Sequence, residues 1–271
     1  MLRSIFCKAL PAVVLVGFSL AATAQPAART FEHTLPATSE LELDVMTGAG
    51  TILVRGTDAE LISIRGEISL APGAGLDKAA AAALIDEISA APPVELDGLQ
   101  LRVGYLDASR VGNVVLSFEI EVPPQTRVVT ASGSGSQRIV GISQPVRATS
   151  GSGGLEFEGI DGAVNASAGS GSIRAEGIAG PFAASSGSGS IRLVQTAPGV
   201  VDISTGSGSV EISLLPSSAF DVDVRTGSGR INIDRPVTLA GAIERNKVEG
   251  KVQGGGPLLR VRTGSGSVHV D

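Results

Sequence analysis

Cysteine, tryptophan, tyrosine and histidine are nearly missing from this chain. Its 271 residues hold one Cys, no Trp, one Tyr and two His. The cysteine, Cys7, stands near the start, upstream of an apolar stretch and away from any cleavage point where a lipid could be attached. Once that segment is removed, disulfides, thiolate catalysis and cysteine-ligated metals are excluded. Aromatic residues make up only 3%, which weighs against stacking on sugars or bases. Positive charge is also scarce: 21 Lys and Arg stand against 27 Asp and Glu. Loss of Arg3 and Lys8 with the leader moves the balance from −6 to −8. Nucleic-acid binding, which depends on neutralising phosphates, is therefore not expected.

Long apolar runs are lacking beyond the first two dozen residues. The one present, Ala9 to Ala22, follows Arg3 and Lys8 and ends on the small-residue sequence Ala22-Thr23-Ala24 before Gln25. That order describes a secretory signal peptide over residues 1–24. The run is shorter than the ~20 residues that span a bilayer, although an uncleaved N-terminal anchor is the alternative. The mature chain is expected to be exported, periplasmic or cell-surface associated, with no transmembrane segment.

Glycine is abundant, with 36 residues. Pairs of the form GxG begin at Gly133, Gly151, Gly169, Gly187, Gly206, Gly227 and Gly264, with an outlying GAG at Gly48. The intervals from Gly133 onward are 18, 18, 18, 19, 21 and 37 residues. The last is about two periods, so a degenerate corner is expected within "GAIERNKVEGKVQGGG". A sustained period of this length signals a repeat architecture.

Aligning the units on the first glycine separates inward from outward columns. Five residues before it stand Val128, Val146, Val164, Phe182, Val201, Val222 and Leu259. Three before it come Thr130, Ala148, Ala166, Ala184, Ile203, Val224 and Val261. Four after it stand Gln137, Leu155, Ile173, Ile191, Val210, Ile231 and Val268, and six after it Ile139, Phe157, Ala175, Leu193, Ile212, Ile233 and Val270. Between those last two columns lies a polar one: Arg138, Glu156, Arg174, Arg192, Glu211, Asn232 and His269. Period-two alternation on both sides of the glycines gives a unit of strand, GSG corner, strand and looser return. One strand pair buries too little to offset the ordering of its own backbone, so the units must stack. The expected fold is all-β, a two-sided parallel β-solenoid over residues 126–271. Its corners need glycine for a positive φ and for close backbone approach.

Residues 25–125 read as an N-terminal capping β region. "LELDVMTGAGTILVRG" resembles one repeat, with Leu43, Val45, Ile52 and Val54 inward, and "LISIRGEISL" continues as a strand. The segment 76–90, "LDKAAAAALIDEISA", is a helix stopped by Pro92-Pro93. Asp97-Gly98 marks a hairpin within "VELDGLQLRVGYL". "NVVLSFEIEVPP" supplies a further strand.

The leader, the "VLSFEIEVP" strand, the tandem "SGSGSIRL" and "TGSGSVEI" units and the ending "GGGPLLRVRTGSGSVHV" together resemble the "putative adhesin" family of exported bacterial proteins with β-strand repeats. The resemblance covers roughly residues 41–271. It implies a β-repeat fold and carries over no catalytic residue.

Several chemistries are excluded or demoted. A phosphate loop of the GxGxxG kind needs a third glycine and a following helix, and here the sixth position is never glycine and strands follow. The calcium-binding nonapeptide solenoid needs an Asp that these units lack. Hexapeptide acyltransferases need an aliphatic residue every sixth position, but Val164 is followed by Ser170 and Glu176. No cofactor or metal is called for, and His33 and His269 read as solvated. Asp202 and Asp223 share an outward column, with Asp221 and Asp234 near, so a polysaccharide-cleaving β-helix is the enzymatic alternative.

The favoured reading is a non-enzymatic envelope protein, adhesin-like or scaffolding. Its partner would be an envelope protein or a polysaccharide. The alternatives are a binding module for anionic polysaccharide or lipid head groups along Arg138, Arg174 and Arg192, or an accessory subunit docked through a sheet edge.

Overall fold

The computed structural model describes residues 28–38, 40–240 and 245–271; the leader, with Cys7, lies outside them. Each GxG corner joins a strand of one sheet to a strand of the other. The sheet holding the strands before the corners has 12 strands, and that holding the strands after them has 11. Successive units pair in parallel and in register: Val146 lies beside Val164, Val164 beside Phe182, and Phe182 beside Val201. Across the corner, Leu155, Ile173, Ile191 and Val210 line up in the same way. The inward columns are buried, and Phe157 and Phe182 are the largest fully enclosed side chains. Polar side chains are buried here as well, among them the pair Thr130 and Gln137. Thr130 donates to Gln137 Oε1, and Gln137 Nε2 donates to the Thr149 carbonyl at 2.6 Å, so the buried amide is satisfied.

The corner glycines serve close approach. A Cβ on Gly153 would lie 2.0 Å from the Gly135 carbonyl oxygen, and one on Gly171 1.9 Å from that of Gly153. The expected positive φ is not found at the GSG corners. It occurs instead at the ends of the strands that follow the corners, at Gly141, Gly159 and Gly177 with φ of 69°, 62° and 70°. The bend at the corner is made with ordinary backbone angles, and glycine is demanded by the carbonyl of the neighbouring rung. A hydroxyl preceding the corner closes the turn. Ser186 Oγ accepts from the Gly189 N–H at 2.9 Å and donates to the Gly171 carbonyl at 3.1 Å. Thr205, Thr226 and Thr263 repeat the pattern.

Chain order and spatial order part at both ends. The rung Glu42–Thr47 and Ile52–Gly56 continues the stack beside Arg127–Ser132 and Gln137–Val140. Outside it lies a rung that comes later in the chain, Gln100–Val103 with Val114–Val122, also parallel. At the other end the last rung, Leu258–Thr263 with Val268–Val270, inserts between Val201–Thr205 with Val210–Ser213 and Phe220–Thr226 with Ile231–Ile233. The degenerate corner expected in the 37-residue interval is therefore absent among the described residues. In its place Lys247–Val252 returns antiparallel on Phe220–Thr226, and Val237–Leu239 pairs antiparallel with it. Residues 241–244 lie outside the described residues.

Antiparallel strands close the N-terminal end as well. Leu61–Leu70 pairs with Val114–Val122, Arg29–Pro36 pairs with Leu61–Leu70, and Val94–Asp97 forms the expected hairpin with Gln100–Val103. The helix spans Lys78–Ala90, two residues shorter at its start than expected because Asp77 caps it, accepting from the Ala80 N–H at 2.7 Å. Its Ile85 and Ile88 join the common core beneath Arg29–Pro36 and Leu61–Leu70.

Candidate functional site

The outward column singled out in the sequence forms a continuous ladder on the sheet after the corners. Register pairing places Arg138 beside Glu156, Glu156 beside Arg174, Arg174 beside Arg192, and Arg192 beside Glu211. The ladder then continues to His269 and Asn232. Arg138 holds Glu156 at 3.2 Å and Glu158 at 2.6 Å, Arg174 holds Glu176 at 3.1 Å, and Arg192 holds Glu211 at 3.0 Å. All seven of these side chains are about half exposed, so each pair contributes only about 0–1 kcal/mol. A shallow hollow of about 200 Å³ lies among Arg138, Glu156, Glu158, Arg174 and Glu176.

The acidic residues do not face one another across a groove. The inserted last rung puts Arg260 between Asp202 and Asp223, at 3.5 Å from one and 3.7 Å from the other. Asp223 also holds Arg225 at 3.0 Å and Arg262 at 3.8 Å. Asp221 lies by Lys251 at 3.9 Å, and Asp234 directly follows the strand Ile231–Ile233 of the opposite sheet, accepting from Asn232 Nδ2 at 2.7 Å. A paired-carboxylate centre is thus not assembled from these four. His269, expected in solvent, is half-buried and touches both Asn232, at 3.1 Å, and Asp234, at 3.6 Å. His33 is exposed on the edge strand Arg29–Pro36. Among the described residues no cluster of His, Cys, Asp and Glu has the makings of a metal site. No helix there is long and apolar enough to cross a membrane.

The other outer face carries features that the column alignment passed over. Thr149, Ser167, Ser185 and Ser204 stand side by side on successive rungs over a hollow of about 350 Å³. Beyond Ser204 the line continues into Arg262, Arg225 and Lys247. These cations come from separate parts of the chain, and only the rung order at the C-terminal end makes them neighbours. A signal for Arg230 did exist in the sequence: it breaks a column that is otherwise serine or glycine.

The family described as Toastrack DUF4097 matches residues 109–271. No curated protein matches the chain significantly. Among solved structures, a "putative adhesin" from Bacteroides fragilis aligns with a TM-score of 0.44 at 14% identity, covering 92% of this chain and 100% of that one. A "putative lipid binding protein" from Parabacteroides distasonis aligns at 0.40 and 16%, covering 89% and 96%. A "putative cell adhesion protein" from Clostridium sporogenes aligns at 0.33 and 12%, covering 89% and 99%. Likeness at this level says nothing of chemistry.

Proposed function

This chain belongs to the Toastrack DUF4097 family, and on that premise we propose that it is an exported, non-enzymatic β-solenoid of the cell envelope, acting through its surface as an adhesin-like or scaffolding module. The observation that carries this reading is the pair of outer faces. One presents hydroxyls in register from rung to rung, and the other presents charges compensated within the sheet. Contact groups repeated at the strand spacing of about 4.8 Å along a stiff axis suit an extended partner better than a single reacting centre. In this reading residues 1–24 direct export, 25–125 cap the stack and 126–271 form the repeat body. Fractionation of a tagged chain with crosslinking in intact cells tests it. Recovery in the envelope fraction, crosslinked to protein or polysaccharide, is expected; a cytoplasmic chain that keeps its leader overturns it. Polysaccharide cleavage that disappears in Asp223→Ala would overturn the non-enzymatic part.

A second reading is a binding module for anionic polysaccharide or lipid head groups along Arg138, Arg174 and Arg192. It is favoured by the direct adjacency of Arg174 and Arg192, two like charges on paired strands. An anion bridging them would relieve their repulsion and displace only weak surface pairs. Binding unchanged in the double variant Arg174→Glu, Arg192→Glu would sink it.

A further inference from the structure

The repeat supplies an internal control for each outward position, and the departures from it gather in one place. The third residue after the first glycine is Ser136, Gly154, Ser172, Ser190, Ser209 and Ser267 in the sister units, but Arg230 in the unit at Gly227. The fifth is Arg or Glu from Arg138 to Glu211, and in the last two rungs of the stack it becomes His269 and Asn232. Those rungs pair with each other, so the exceptions lie side by side.

Arg230, Asn232 and His269 line one open cavity of about 770 Å³ together with Arg245 and the hydroxyls of Ser228 and Ser267. Neither Arg230 nor Arg245 has a side-chain hydrogen bond or ion pair among the described residues. Arg138, Arg174 and Arg192, by contrast, each hold a carboxylate. Asp234 is engaged with Asn232 and His269. In a chain of net negative charge, two guanidiniums without such a partner among the described residues line this one hollow.

We propose that this cavity binds an anionic saccharide, a sugar unit bearing a carboxylate or phosphate group. The guanidiniums offer forked N–H donors to the oxyanion, the geometry in which Arg exceeds Lys. Asn232 and the serine hydroxyls can both donate to and accept from sugar hydroxyls. The volume falls in the ~300–1,000 Å³ range of small-molecule sites. Apart from Val268 the lining is polar or glycine, so it has no wall for an acyl chain, and this favours a sugar over a lipid. The inference rests on the reading of the protein as a surface-binding module, but not on the Arg138 to Arg192 column.

The test is calorimetric titration of the full chain with alginate oligomers and glucose 6-phosphate, with maltohexaose as the neutral control. It is repeated on Arg230→Ser, which installs the residue of the sister units, and on Arg245→Ala. The acidic sugars should bind and the neutral one should not. Each variant should bind at least about tenfold more weakly with its thermal midpoint unchanged, since charge-assisted hydrogen bonds are lost. Equal binding by the parent chain and Arg230→Ser overturns the inference; if that binding is then lost in Arg174→Glu, Arg192→Glu, the surface-binding reading survives on the other column. A parent chain that binds neither acidic sugar also overturns the inference, and fractionation still judges the wider reading separately. Cosedimentation with phosphatidylglycerol vesicles, without sugar binding, overturns it in favour of a membrane.

Discussion

Within Gly151-Ser152-Gly153-Gly154, neighbouring glycines have different reasons for being glycine. A Cβ on Gly153 would meet a backbone carbonyl at 2.0 Å, whereas one on Gly154 would make ordinary contact, 3.6 Å from the Ser172 carbonyl. Gly153→Ala should therefore cost about 1–3 kcal/mol or more in urea unfolding, and Gly154→Ala close to nothing. In the hydroxyl column Ala168 stands where Ser132, Ser186, Thr205, Thr226 and Thr263 each accept from a corner N–H, while Ser150 at the same position is buried without a partner. Ala168→Ser should add that bond to the Gly171 N–H and raise stability by about 0.5–1.5 kcal/mol in the same assay.

Tyr105, the single tyrosine, is pushed up to about 12, first by burial and then by donating its O–H to Asp44 at 2.7 Å. A raised pKa favours the neutral phenol in the folded state. Its contribution to stability is complete below the unfolded value of about 10 and is lost as pH rises through about 12. Ultraviolet titration of the phenolate should give a midpoint near the raised value, and Asp44→Ala should lower it. At this scale the sequence was informative about identity and half informative about cause: close approach at the corners holds, and positive φ there does not. The corner glycines were legible from their recurrence, but the carbonyl that excludes a side chain belongs to another rung, and no local window contains it.

Strands, corners and helix were legible as elements because apolar residues alternate with period two and because Asp97-Gly98 and Pro92-Pro93 punctuate the chain. Neighbour relations were legible only in the middle. From Val128 to Val201 each rung pairs with the next in the chain, as a constant period implies. Beyond Val201 the period fails, and the strand beside Ser204 carries Arg262 rather than Arg225. Paired cysteines can report this order against a background with no other cysteine after residue 7. Ser204→Cys with Arg262→Cys should crosslink under mild oxidation, since paired strands lie about 4.8 Å apart. Ser204→Cys with Arg225→Cys should stay reduced, the separation of two strands exceeding the ~7 Å reach of a disulfide. Crosslinking of the second pair alone would restore sequential stacking.

Over the whole molecule the arrangement tucks the last GSG rung inside the stack and leaves hairpins at the C-terminal end of the first sheet. Arg235 fastens the end of the chain, donating to the main-chain oxygens of Leu214 at 2.8 Å and Asp271 at 2.9 Å. Ile231 and Ile233, inward by pattern, are half-exposed because their strand is the edge of its sheet. Deleting residues 258–271 removes the parallel neighbour of that edge strand and of Phe220–Thr226 together. Amide exchange should then become fast at Phe220–Ile233 while the rungs from Val146 to Gln195 stay protected, as expected of a stack held by nearest-neighbour contacts. Retained protection at Phe220–Ile233 would show that the rung stands without its inserted partner.

The sequence by itself determined the solenoid, its inward columns, its corners and the helix at one end, because these follow from periods carried by consecutive residues. Only the tertiary structure decided which rungs touch at the two ends, and that Arg138, Arg174 and Arg192 hold a carboxylate while Arg230 and Arg245 have no side-chain partner among the described residues. Every rung offers its neighbour the same backbone groups and nearly the same apolar columns, so local pattern cannot rank one neighbour above another. That choice falls to the closure of the exposed sheet edges, which is a property of the assembled stack.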